Sequence, residues 1–103
     1  MTKTIRPADR KTFAGSRDFG IEVRTRIEDS LRDGHNVVVD LGGIEDMTPS
    51  FADECFGKLS EELGTDVTEG RISVTNGEQF RSLISAVTRV RLQRRAASAK
   101  NRR

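Results

Sequence analysis

Asn36-Val37-Val38-Val39-Asp40-Leu41-Gly42-Gly43-Ile44-Glu45-Asp46-Met47-Thr48-Pro49-Ser50-Phe51-Ala52-Asp53-Glu54 passes from an extended to a helical pattern within one short stretch. Its opening residues, Asn36 to Leu41, set β-branched side chains on both faces of an extended chain, which suits a buried central strand better than an edge. Gly42 to Met47 reads as a loop, with Asp40 at the strand end suited to capping the turn through its side chain. A helix opens next. Proline fits the first helical position because its missing N–H needs no partner there, which makes Thr48 the natural N-cap. Alternatively Ser50 caps, with Asp53 completing a capping box. Phe51, Cys55, Leu59 and Leu63 then recur every fourth residue, widened by Ala52 and Phe56, until Gly64 stops the helix. Gly57 inside it implies close packing, expected here to be helix on sheet.

Upstream, Phe19, Val23, Ile27 and Leu31 define one face of a helix from Ser16, its expected N-cap, to Asp33, and Gly34 suits the stop. Downstream, Thr65 to Gly70 reads as a polar connection, and Arg71 to Thr75 alternates like a half-buried strand. Asn76 offers a cap, with Gln79 three residues on, to a third helix built on Phe80, Leu83, Ile84 and Val87. At the front, Thr2 to Arg6 suggests an edge strand stopped by Pro7, with a further piece at Lys11 to Ala14. The order β-α-β-α-β-α implies an α/β fold with parallel pairing and right-handed crossovers. The expected architecture is a small mixed or mostly parallel sheet of three to four strands carrying three amphipathic helices.

A chain of 103 residues with 34% hydrophobic content supports one modest core. The domain is expected over residues 1–90, followed by a basic, flexible tail at 91–103. Charge divides along the same line. Arg89, Arg91, Arg94, Arg95, Lys100, Arg102 and Arg103 are seven of the 18 basic residues, whereas all 16 acids precede them. The net charge of +2 therefore describes a basic end on an acidic body. Cys55 alone allows no internal disulfide, no apolar run approaches a membrane span, and Met1 to Arg10 is too polar for a signal peptide, so cytoplasm is the expected compartment. His35, the one histidine, falls in a turn and reads as plain surface. All five aromatics are Phe, assigned mostly to the core.

The segment from Val37 to Leu59, with its strand ending in Asp40-Leu41, its Gly42-Gly43-Ile44 link and its Ser50-Phe51-Ala52-Asp53-Glu54 helix, resembles bacterial STAS-like domains of unknown function. These are distant relatives of the STAS domains of anti-sigma-factor antagonists, and the likeness extends over roughly residues 16 to 90. It implies a STAS-like α/β fold and a regulatory, protein-binding role. In anti-sigma-factor antagonists the helix start carries Asp-Ser-Ser-Gly, whose first serine is phosphorylated by a kinase of histidine-kinase-like ATPase fold. Counted from Asp40, Thr48 stands where that pattern has Asp, Pro49 at the first Ser, Ser50 at the second and Phe51 at the Gly. The usual acceptor is therefore replaced, which leaves Ser50 and Thr48 as candidate phosphosites at a helix start, where the dipole favours an anion. A phosphate there would add about −1.5 to −2 charge to an acidic neighbourhood.

The functional expectation is a non-enzymatic module that docks a partner, such as an anti-sigma-type ATPase, through Gly42 to Ser50 and the helix start. Asp46, Thr48, Ser50, Asp53 and Glu54 are the expected docking residues. The alternative is a nucleic-acid-binding regulator using the cations from Arg89 onward, whose phosphate contacts would weaken with salt. A third arrangement has the basic end folding over the acidic rim of its own chain or meeting it in a second subunit. No cofactor is expected. Asp40, Asp46, Asp53 and Glu54 are not read as a metal site, because adjacent helical residues diverge by about 100°. No nucleophile–base pair or glycine-rich phosphate loop supports an enzyme.

Overall fold

The computed structural model describes the backbone of residues 1–100 and the side chains of residues 1–98; Arg102 and Arg103 lie outside the described residues, as does the Lys100 side chain. Three parallel strands, β1 (Thr2–Ile5), β3 (Asn36–Asp40) and β5 (Ile72–Thr75), form a sheet in the order β1-β3-β5. The valine run is its central strand, with Val37 and Val39 buried and Val38 half-buried. Strands that follow one another in space as in sequence, joined by right-handed crossovers, carry their connecting helices on one face. Ile5, Val37 and Val39 line that face and are buried, while Thr2, Thr4, Asn36, Ser73 and Thr75 occupy the other and are exposed.

A second, two-stranded parallel sheet pairs β2 (Phe13–Ala14) with β4 (Asp46–Met47). The piece foreseen at Lys11 to Ala14 is thus a strand, and the segment foreseen as pure loop ends in its partner. The first crossover contains α1 (Arg17–Arg32), capped by Ser16 Oγ, which accepts from the Phe19 N–H at 3.1 Å.

The second crossover contains α2 (Pro49–Ala52), a π turn (Asp53–Gly57) and α3 (Lys58–Arg71). The regular four-residue ladder predicted across this segment is therefore widened at its centre. Phe51, Ala52, Glu54, Cys55, Phe56, Gly57, Leu59 and Ser60 are all buried, so this helix meets protein on nearly every side. Phe51 is fully buried and tilts against Phe19 of α1, ring centroids 5.3 Å apart. Gly64, in the left-handed region at φ 81°, breaks the helix as foreseen. Beyond it the polar connection is helical rather than loop, with the Thr68 hydroxyl donating back to the Gly64 carbonyl at 3.1 Å.

Three further expectations are corrected. Strand β5 is more exposed than a half-buried strand, because it ends the sheet. Asn76 caps no helix: it adopts φ 55° and donates from Nδ2 to Asp40 Oδ1, while a 3-10 turn at Glu78–Phe80 opens the last helix. That helix, α4 (Arg81–Lys100), passes straight through the boundary foreseen at residue 90. Residues 91–100 are helix rather than flexible tail because Arg91 and Arg95 are bound to the body of the domain.

Candidate functional site

The loop after β3 is fixed from its first residue. Asp40 Oδ1 accepts from the Gly42 N–H at 2.8 Å and from Asn76 Nδ2 at 2.9 Å, and these bonds, Asn76 foremost, hold its carboxyl below the ordinary range. Gly43 takes φ 86°, which lets the chain turn, and the Ile44 N–H closes that turn on the Leu41 carbonyl at 3.1 Å. The chain then pairs with β2. The Glu45 N–H donates to the Thr12 carbonyl at 2.7 Å and the Thr48 N–H to the Ala14 carbonyl at 2.9 Å.

Thr48 is the N-cap, its Oγ1 accepting from the Phe51 N–H at 3.2 Å, with Pro49 at the first helical position. The alternative capping box on Ser50 does not form. Ser50 sits inside the first turn, half-buried, and Asp53 points elsewhere. The helix start therefore offers a serine hydroxyl that is not the cap.

The five expected docking residues separate into two groups. Asp46 is exposed, and Thr48 and Ser50 are half-buried around it. Asp53 and Glu54 are not part of an open acidic rim. Asp53 accepts a two-pronged grip from Arg91, Nε to Oδ1 at 2.8 Å and Nη2 to Oδ2 at 2.7 Å, and a further bond from Arg17 Nη1 at 3.2 Å. These cations, Arg91 foremost, bring its carboxyl down to about 2. Glu54 is buried at 4% exposure and lies among Arg17, Arg24 and Lys58 at 3.1, 3.5 and 2.9 Å. Burial would raise its pKa, yet Lys58 and Arg17 together hold it below the ordinary value.

The π turn explains this inward arrangement. It sets Asp53 toward α4 and Glu54 toward α1, and Gly57 lets α4 approach: a Cβ there would lie 2.8 Å from Asp53 Oδ1 and 3.1 Å from Arg91 Cγ. Gly57 thus serves helix-on-helix packing, not the helix-on-sheet contact foreseen. Gly20 does the same for α1, where a Cβ would meet Glu54 Cβ at 2.9 Å.

The basic end divides likewise. Arg91 also reaches Glu61 Oε1 at 2.7 Å, and Arg95 Nη1 donates to the carbonyls of Glu61 and Glu62 at 2.7 and 3.0 Å, just before the Gly64 break. Arg91 thus meets Asp53 of its own chain, whereas Arg95 binds backbone carbonyls and no acid of the rim. Arg89 and Arg94 are exposed. A continuous basic stripe does not form among the described residues.

Phe13 is the residue the pattern did not mark. It is 55% exposed, while Phe19, Phe51, Phe56 and Phe80, the four that the periodicity placed in the core, are buried. It is opposite Asp46 in the β2–β4 pair, and its ring folds over Gly15, where any Cβ would collide with it. The available signal was the alternation Phe13-Ala14 before Gly15, which puts small Ala14 inside and leaves Phe13 out. Ala8, Arg10, Lys11, Thr12, Gly15 and Ser16 join it around an open hollow of about 700 Å³. Arg10 is paired with Glu22 at 2.8 Å and Lys11 Nζ lies 5.4 Å above the Phe19 ring.

Burial pushes the Cys55 thiol far up, which keeps it protonated and unreactive. His35 is half-buried rather than plain surface, its Nδ1 enclosed without a partner and its carbonyl accepting from Arg71 Nη2 at 2.7 Å. No group of three or more metal-ligating side chains is present among the described residues, and no described helix is long and apolar enough to cross a membrane.

No curated protein and no solved structure matches the chain significantly. A sequence family described as a STAS-like domain of unknown function (DUF4325) matches residues 20–84, which include most of α1, the valine strand, the π-turn helix and β5. With that match covering most of the chain and the α/β architecture agreeing with it, the protein belongs to the STAS-like DUF4325 family.

Proposed function

We propose that the chain is a non-enzymatic regulatory module that docks a partner protein through the β2–β4 pair and the start of α2. The observation that carries this reading is Phe13. A solvent-facing aromatic is paired across a parallel strand pair with exposed Asp46, and the strand that carries Asp46 leads within a few residues to Pro49 and Ser50 at the helix start. Aromatic side chains bordered by polar groups are the usual energetic centres of protein interfaces. The docking face is therefore Phe13, Glu45, Asp46, Pro49 and Ser50. Asp53 and Glu54 support it from behind by holding α1 and α4 to the helix.

The partner favoured by the family relationship is a histidine-kinase-like ATPase, with Ser50 as the group it phosphorylates. A phosphate at Ser50 would add about −1.5 to −2 charge to a face that already carries Glu45 and Asp46. The nucleic-acid alternative loses Arg91 and Arg95 to internal bonds and retains Arg89 and Arg94 on the exposed side of α4.

The test is a titration of a histidine-kinase-like ATPase of the anti-sigma type against the wild-type chain, Phe13→Ala and Asp46→Lys. The expected result is binding weakened by at least about tenfold in each variant, as interface anchors show. Equal binding by all three proteins overturns the reading. Intact-mass measurement with ATP present, on wild type and Ser50→Ala, decides separately whether Ser50 accepts phosphate.

A further inference from the structure

Strand β5 ends the sheet, and Ser73, Val74 and Thr75 are exposed along it. The two edges of this sheet are unlike. Edge strand β1 carries exposed Lys3 and is followed by Pro7, both of which discourage pairing with another chain. Strand β5, Ile72-Ser73-Val74-Thr75, has no charge and no proline. Its Thr75 carbonyl accepts from the Leu41 N–H at 2.9 Å, so Thr75 faces β3. By the alternation of an extended strand, the N–H and C=O of Val74 point out of the sheet. The Ile72 N–H is already used, donating to the Thr68 carbonyl, which leaves the Ile72 carbonyl as the third outward group.

The side chains agree with the backbone. Val74 is 41% exposed on the core-facing side of the sheet. Together with Gly77, Glu78, Arg81, Ile84 and Ser85 it lines a pocket of about 130 Å³ between the strand end and α4. That space suits one aliphatic side chain entering from a neighbouring strand.

We propose that β5 pairs antiparallel with β5 of a second copy of this chain, about a two-fold axis through Ser73, joining two three-stranded sheets into one. In that register Val74 faces Ile72 of the second copy on the core side, apolar against apolar, and its N–H donates to that Ile72 carbonyl. Ser73 meets Ser73 on the outer face. Charge is complementary as well: the end of β5 that carries exposed Glu69 lies beside the end that carries exposed Arg81. A two-fold contact of this kind doubles every favourable pair.

The experiment is light scattering coupled to size-exclusion chromatography on the full chain across a concentration series. Wild type is expected to approach twice the chain mass of 11.5 kDa. Val74→Lys and Val74→Pro are each expected to weaken dimerisation by at least about tenfold. The proline removes only an outward N–H and is tolerated on an edge strand in that orientation. Circular dichroism establishes that each variant is folded; should the proline variant unfold, Val74→Lys decides. A wild-type chain that stays monomeric up to millimolar concentration overturns the proposal, as does a dimer that survives in a folded Val74→Lys protein.

Discussion

Arg91 of α4 grips both carboxylate oxygens of Asp53 in the π turn, at 2.8 and 2.7 Å, across 38 positions of sequence. The same guanidinium reaches Glu61, so one side chain ties the last helix to two turns of the central one. Planar two-pronged pairs of this kind are stronger and more directional than a lysine contact. Arg91→Ala should destabilise the fold by about 1.5–3 kcal/mol, the range for hydrogen bonds to charged groups. Arg91→Lys should recover only part of it. A double-mutant cycle with Asp53→Ala, followed by urea unfolding, measures the coupling; a cycle that closes at zero contradicts the clamp.

Acid should loosen the domain in a defined window. Asp53 has its carboxyl lowered from the ordinary 3.8 to about 2 by Arg91 and Arg17, and a carboxyl lowered by folding stabilises the native state above its unfolded pKa. That contribution is present above pH 4 and is lost as pH falls through 2. With solvent screening of a surface-proximal pair it amounts to about 1 kcal/mol. Thermal unfolding midpoints from pH 5 to pH 2 should fall less steeply in Asp53→Asn than in wild type. Parallel profiles would show that Asp53 is not the group involved.

Two glycines of the central helix should respond to alanine in opposite directions. Alanine is the better helix former by about 1 kcal/mol, and Gly70 has open space around it. Gly70→Ala should therefore raise stability by up to about that amount. At Gly57 a Cβ meets Asp53 Oδ1 at 2.8 Å and Arg91 Cγ at 3.1 Å, so Gly57→Ala should lower stability by about 1–3 kcal/mol as α4 is pushed away. Chemical denaturation midpoints of the two variants give the comparison, and a stabilised Gly57→Ala would refute the close approach.

The two hydroxyls at the start of α2 should separate cleanly. Thr48 caps the helix, and removing such a cap costs about 1 kcal/mol, whereas Ser50 is not the cap. Thr48→Ala should lower the unfolding midpoint, and Ser50→Ala should leave it within about 0.5 kcal/mol of wild type. A Ser50→Ala protein as unstable as Thr48→Ala would give Ser50 a structural role.

What the amino-acid order made legible was whatever depends on neighbours along the chain. Ser16 and Thr48 announced their caps, Val37 and Val39 the central strand, and Gly64 the helix break. The parts that stayed hidden depend on contacts between distant segments. Gly57 signalled a close approach but not the partner, because only folding brings Arg91 against it. Asp53 and Glu54 read as an acidic rim because charge alone does not show which carboxylates have cations waiting on α1 and α4. The π turn has no local sequence mark, and those two acids are its first two residues. Phe13 had no periodic face to place it, and in its two-residue strand Ala14 takes the inside.

The docking face is tested most directly by hydrogen exchange on the chain with and without a histidine-kinase-like ATPase of the anti-sigma type. The account predicts new protection at residues 12–15 and 43–50, around Phe13 and Asp46, with little change in the exposed part of α4. Protection confined to residues 89–98, with the Phe13 and Asp46 segments exchanging as in the free chain, would contradict it.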